Sequence, residues 1–445
     1  MLDSSQLPRL SLRYFRALCA CLLVLPCWSP AAETPNAPLT KVFLWDAEFI
    51  RATREKIWAG DKTFSAALTK LDRDAKGSLD AGPFSVMRKK TLPPSGDKHD
   101  FMSQAPYYWP DPNSADGLPY IRRDGERNPE IYEIADRREL GRMSGTVETL
   151  SLAYYFTTNE AYAQKAAELL RAWFLDPATR MNPNFQFAQA VRGENTGRGT
   201  GLIEAVGLTT LIDSVGLLKG LKAWTKADQD GLQEWFSKFL KWMQESHNGR
   251  AEAAAKNNHG SFYDVQVASY SLFLGKQDQA RAILEEAKQK RIAPQIEPDG
   301  RQPLELARTR SWSYSIFNLR ALFSLATLGE HNGVDLWNFE TADGRSIQKA
   351  LDFLSPFALK EKKWTYRQLG RFPEQELFPL LRRGAAKYPA KYAAILPQIP
   401  ATEPEDRANL LHPWSRPGQK STEPQQTSEA RKSRAADGRP RTNVQ

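Results

Sequence analysis

The chain of 445 residues carries 61 Lys and Arg against 52 Asp and Glu, a formal charge of +9, with 41% hydrophobic and 11% aromatic residues. No uninterrupted run of about 18 apolar residues exists, which excludes a polytopic membrane protein, and 27 Gly with 29 Pro are too few for a fibrous repeat. The basic balance suits an anionic partner but does not choose among polyanions, because most such charges simply solvate a surface.

Residues 1–32 read as an export signal. Arg9, Arg13 and Arg16 form its cationic start, residues 17–25 an apolar stretch too short to span a bilayer, and Ser29, Pro30, Ala31 and Ala32 a small-residue cleavage point. The expectation is a periplasmic or secreted protein with no membrane span left after cleavage. All three cysteines, Cys19, Cys21 and Cys27, lie inside this segment. The remaining chain therefore holds no disulfide, thiolate nucleophile or cysteine-bound metal.

Residues 100–129 are rich in Pro and aromatics, with Tyr107, Tyr108 and Trp109 in a row and no helical period. They read as an ordered loop across the mouth of a site. From Thr146 the pattern becomes helical and paired. Val147, Leu150, Leu152, Ala153 and Phe156 recur at helical spacing, and Asn159 can cap a following segment over residues 160–174. Further helices are expected near residues 201–221, 226–245, 261–274, 278–290, 304–328, 346–357 and 375–387. With helical hairpins throughout and no fixed-period repeat, the expected fold is all-α, a closed or incomplete α/α toroid over residues 33–412. Residues 413–445 hold almost no large apolar side chains and read as a disordered basic tail.

No two of the five histidines, His99, His247, His259, His331 and His412, stand at the spacing of a helical zinc site, and no nucleotide or nucleophile-elbow motif occurs. The glycine-rich stretch at residues 193–201, GENTGRGTG, lacks the Lys-Ser/Thr of a phosphate loop. No metal, cofactor or nucleic-acid partner is expected. The polar signal is concentrated in KNNHGSFYD, residues 256–264, and LELARTRSWSYSIFNL, residues 304–319. Taken singly, each has a plain structural reading: a helix cap for Asn258 and His259, a core position for Tyr314, surface ion pairs for Arg308 and Arg310.

Taken together, Asn, His, Arg and Tyr fit elimination from a uronic acid. Amide and guanidinium donors, or an imidazolium, offset the carboxylate charge and stabilise the enolate-like state formed when C5 loses its proton. Tyrosine or histidine takes that proton, and tyrosine returns one to the departing O4. A cationic neighbourhood is expected to lower the phenol's pKa for that role. Arg308 and Tyr314 stand six apart, so a bend or helix start between them is needed for both to reach one ligand.

These residues, with the blocks HDFMSQAPYYWPDP, GLPYIRRDGERNPE, WFLDPATRMNPNFQFAQAVRGENTGRGTG, KNNHGSFYDVQVASYSLFLG and PDGRQPLELARTRSWSYSIFNL, resemble the alginate lyase superfamily over residues 99–328. The resemblance implies an α/α toroid, export and metal-independent β-elimination on an anionic polysaccharide, with alginate the expected substrate. It places the Asn-His pair on Asn258 and His259 and the tyrosine on Tyr314. The arginine falls on Arg308, with Arg310 as the other possibility, and Asn195 is a further candidate for holding the carboxylate. Arg192, Gln189, Arg198, Tyr108, Trp109 and Tyr263 are expected to contact substrate. The alternatives are a lyase on glucuronan or another glucuronate polymer, a noncatalytic polyanion-binding protein, or an α/α glycoside hydrolase drawing on Asp111, Asp124, Glu126 and Glu204.

Overall fold

A computed structural model describes residues 42–415, all within one compact unit. The expected export signal lies outside the described residues, as does the expected tail apart from a single 3-10 turn, Pro413–Ser415. The structure is mostly helical. Two charged amphipathic helices, α1 (Ala47–Trp58) and α2 (Ser65–Lys76), precede the segment where helical periodicity is plain. Then come α3 (Asp136–Thr157) and α4 (Glu160–Leu170), joined by Thr158 in the left-handed conformation and by Asn159, whose side chain accepts from the Ala161 amide. That two-residue link folds α4 back along α3, and Ala163, Ala166, Ala167 and Leu170 form its buried stripe.

The expected helix at 201–221 is interrupted. Gly199 and Gly201 lie so close to neighbouring backbone that a Cβ would sit 2.6 Å from the Asn248 carbonyl and 2.4 Å from the Ala188 Cβ. The chain there takes a 3-10 course, Gly199–Ala205, before α5 (Leu208–Gly216). Next is α6 (Lys226–Glu245), opened by a reciprocal cap between Thr225 and Asp228. A short α7 (His247–Ala253) leads to α8 (Asn258–Phe273) and α9 (Gln277–Ala287). Two single turns, α10 (Ala293–Gln295) and α11 (Pro303–Leu306), precede α12 (Ser311–Glu330), α13 (Ile347–Ala358) and α14 (Phe378–Lys387).

Residues 100–129 are more regular than expected. β1 (Met102–Gln104) pairs in parallel with β4 (Phe187–Ala190), while β2 (Tyr108–Trp109) pairs antiparallel with β3 (Ile121–Arg122). The core runs through Phe174, Trp235, Phe236, Phe239 and Tyr270, whose rings meet edge-on or tilted, beside the buried Trp173. α8 and α12 pack against each other and are buried on nearly every side. They are therefore stiff supports, and both reach the same cavity with their N-terminal ends.

Candidate active site

The cavity measures ≈ 600 Å³ and is walled by the 100–129 segment, the start of α3, residues 189–203, the start of α8 and residues 308–320. Its lining carries seven arginines, from Arg122 and Arg127 to Arg320, against one carboxylate, Glu376. A modest excess of charge over the chain thus becomes a concentrated cationic field in one concavity.

α8 begins earlier than its apolar pattern suggests, because its first turn is polar yet buried. The Asn257 side chain accepts from the His259 amide, and Glu305 on α11 accepts from both the Asn258 amide (2.7 Å) and its Nδ2 (2.7 Å). Asn258 is thereby clamped with a second amide hydrogen left over, and it lines the cavity. Burial raises the Glu305 carboxyl above its ordinary pKa, partly offset by those two donors. His259 also faces the cavity. Its Nδ1 donates to the buried Glu252 at 2.7 Å, which fixes the ring and leaves Nε2 for a ligand.

Gly260 is the residue that lets this helix start sit where it does. A Cβ there would lie 2.0 Å from the Ala255 carbonyl and 2.2 Å from Nη1 of Arg291. Arg291 is buried, forks onto Asp264 (2.7 and 3.0 Å), and donates to the carbonyls of Ala253 and Ala255. The Gly260→Ala variant is expected to lose about 3 kcal/mol through overpacking, read as a fall of several degrees in Tm. An unchanged Tm would show that the neighbours yield freely.

Arg308 lies in the break between α11 and α12, which supplies the bend that its spacing from Tyr314 requires. Its guanidinium sits 3.7 Å from the centre of the Tyr314 ring and forks onto Asp124, with Nη2 at 2.6 Å and Nε at 3.0 Å from Oδ1. The Thr309 amide donates to the same carboxylate. Burial alone would raise the Asp124 carboxyl, but the bonds from Arg308 and Thr309 hold it well below the usual range. The Tyr314 hydroxyl donates to that of Tyr107 at 2.9 Å.

The expected lowering of the phenol does not occur. Burial pushes Tyr314 well above an ordinary tyrosine, and Arg308, whose charge Asp124 largely offsets, does not reverse it. At rest, Tyr314 therefore holds its proton.

Of the residues singled out in the sequence, the structure brings Asn258, His259, Arg308, Arg310, Tyr314, Gln189, Arg198 and Tyr108 to this one cavity. Arg310 is exposed and donates from Nε to the Gly125 carbonyl. Four others do not line it. Asn195 closes its own turn, accepting from the Val191 amide and donating to Glu194. Arg192 is spent on Glu130, Glu133 and the Tyr120 ring. Trp109 donates its indole N–H to Glu126 and lies under Arg123. Tyr263 is a core residue: it is buried in α8, donates to the Met243 carbonyl, and burial pushes its phenol up to about 12.

The carboxylates weighed for hydrolysis are not presented as a pair. Asp124 is tied to Arg308, Glu204 is fully buried, and Asp111 and Glu126 lie off the lining. Sequence reasoning missed Glu252, Glu305, Tyr107 and Arg137. Only Tyr107 had a visible signal, as part of the aromatic run.

Comparison with known proteins follows the same lines. The alginate lyase family model matches residues 85–364. The crystal structure of an alginate lyase from Bacteroides ovatus is 43% identical, with 84% of this chain and 99% of that chain covered and a TM-score of 0.81. Alginate lyase A1-III from Sphingomonas species A1 is 16% identical over 81% of this chain and 93% of its own, with a TM-score of 0.51. A histidine-to-alanine variant of that enzyme, complexed with a tetrasaccharide, gives 16% identity over the same shares and a TM-score of 0.53, so these two share the fold. No curated protein matches the chain.

Proposed function

Because the chain belongs to the alginate lyase family, and is a polysaccharide lyase, we propose that it cleaves alginate by metal-independent β-elimination, leaving a 4,5-unsaturated uronate on the new non-reducing end. The observation that carries this reading is the meeting of His259 Nε2 and the protonated Tyr314 in a cavity lined by seven arginines.

Arg308 and the free amide hydrogen of Asn258 donate to the uronate carboxylate, and the field of the cavity's other arginines offsets the charge that develops when C5 is deprotonated. His259 Nε2 takes the C5 proton. The C–H electron pair becomes the C4–C5 double bond, the C4–O4 bond breaks, and the Tyr314 phenol passes its proton to O4. Glu252 holds the imidazole in the tautomer this step needs. Tyr107, donated to by Tyr314 in the resting site, is placed to return a proton afterwards.

The helical hairpins form the α/α toroid of the family, with the cavity at its mouth. Residues 1–32 export the chain, so the polymer is met in the periplasm or beyond. No helix among the described residues is long and apolar enough to cross a membrane.

The test is ultraviolet absorbance of the conjugated double bond while the protein, with chelator present, acts on alginate blocks, glucuronan and glycosaminoglycans. A rise on alginate is expected. A rise on glucuronan alone would move the substrate, and a flat trace with saturable binding would make the protein a noncatalytic binder. Activity lost to chelator and restored by a divalent ion would overturn metal independence.

A further inference from the structure

Seven arginines make the cavity a place for anions, and one residue of its lining opposes them. Glu376 lines the cavity beside Arg320 of α12. It belongs to a 3-10 turn, Glu374–Leu377, that is fastened to the core and to α12 on either side of it. Leu377 is fully buried, the Pro373 carbonyl accepts from the Trp312 indole at 2.9 Å, and the Glu376 carbonyl accepts from Arg320 at 3.4 Å. The backbone at Glu376 is therefore held in place along the helix that also carries Tyr314.

Its side chain is left unpaired. Glu374 in the same turn pairs with Lys360 at 3.2 Å, and Asp124 takes up Arg308. Among the described residues the Glu376 carboxylate has neither an ion pair nor a hydrogen bond, because Arg320 donates to its backbone carbonyl instead. A carboxylate so placed repels the carboxylate of a uronate, and since it can only accept, hydroxyl groups are its natural partners. Arg320 stands six residues beyond Tyr314, about 9 Å along the helix axis. That is the span of a sugar or two from the bond that Tyr314 serves.

Resting on the lyase reading above, we infer that Glu376 is a specificity-determining residue: it keeps carboxylates away from this part of the cavity and accepts sugar hydroxyls there. At this distance from the cut, the bound chain presents hydroxyls, either from an uncharged sugar or from a uronate turned with its carboxylate away. The chains that fit best are those in which an uncharged sugar falls at this place. The arginines draw a polyanion in, and Glu376 decides which stretch of it settles.

The test uses the full chain on alginate whose carboxyl groups have been partly reduced to primary alcohols, with the products sequenced by mass spectrometry. For the unmodified protein, one fixed position near the cut is expected to hold reduced sugars about threefold more often than the substrate as a whole, the discrimination of one half-exposed charge. Raising the salt concentration should weaken that bias. In Glu376→Gln, which keeps the shape and loses the charge, the bias should disappear, and in Glu376→Lys the same position should become enriched in carboxylates. A purely structural role for Glu376 would not reverse a positional preference in this way. Products of the unmodified protein with no position enriched in reduced sugars would overturn the inference, and that result needs no variant to fold. A bias that persists in a folded Glu376→Gln protein would also overturn it. Failure to produce the absorbing double bond on any polyuronate would instead remove the lyase reading itself, so the two failures are distinct.

Discussion

Tyr314→Phe is expected to lower kcat about a hundredfold to ten-thousandfold, the usual span for loss of a positioned general acid, with KM little changed. The ring stays, so its packing under Arg308 survives and only the hydroxyl and its bond to Tyr107 are lost. Thermal unfolding close to that of the unmodified chain should accompany the loss, which separates chemistry from folding. The direction of the phenol's pKa adds a second expectation. As the acid, Tyr314 works in its protonated form, and burial keeps it protonated beyond the ordinary tyrosine range of about 10. The kcat profile should therefore show no alkaline decline attributable to this group until pH exceeds that range. A rate that climbs steadily as the phenol ionises would assign Tyr314 as the base and displace His259 from that role.

Arg308→Ala is expected to lower kcat/KM about a hundredfold to a thousandfold, comparable to removing a donor from a preorganised anion site. Arg308 combines three features: a half-filled fork, a cavity-facing position and contact with the ring that delivers the proton. Its removal also leaves Asp124 in place without its cation, which turns the local field from neutral to repulsive toward a uronate carboxylate. Arg310→Ala should act mainly on KM and by less than tenfold, because its exposed guanidinium donates only to the Gly125 carbonyl. Steady-state kinetics of the two variants side by side, with circular dichroism as the folding control, checks the assignment. The reverse order of effects would move the carboxylate contact to Arg310.

The parts of the fold that could be read in advance are those whose burial follows from apolar spacing. α6 was legible from end to end because Leu232, Phe236, Phe239, Leu240 and Met243 form one stripe and Thr225 with Asp228 marks the start. α4 was legible for the same reason, with Asn159 as its cap. Where buried polar groups open a helix, the pattern misleads. α3 begins at Asp136, buried against Lys89, and α8 begins in a turn whose Asn258, Ser261 and Asp264 are all buried and satisfied by Glu305, Gln295 and Arg291. Residues of that kind look like loop in a sequence, since only tertiary partners justify their burial.

The candidate site divides along the same line. Asn258, His259, Arg308 and Tyr314 stood out because their types are unusual for an apolar helix context. Glu252 and Glu305 did not, because a glutamate that orients a histidine or clamps an asparagine is indistinguishable in sequence from one that faces water. Tyr263 was misjudged for the converse reason: it shares a helix face with His259, but it stands one turn further into α8, where the chain is buried and its phenol donates to the Met243 carbonyl inside the core. Asn195 belonged to a glycine-rich block that does border the cavity, through Arg198 and Thr200, while its own side chain is consumed in the turn.

The most direct test of the central claim is the structure of the newly made chain end. Alginate oligosaccharides of defined length, cut by the unmodified protein and analysed by mass spectrometry and proton NMR, should carry a C4–C5 double bond on the new non-reducing sugar and weigh one water less than hydrolysis would give. Saturated ends with water incorporated would contradict elimination and return the cavity to hydrolytic chemistry.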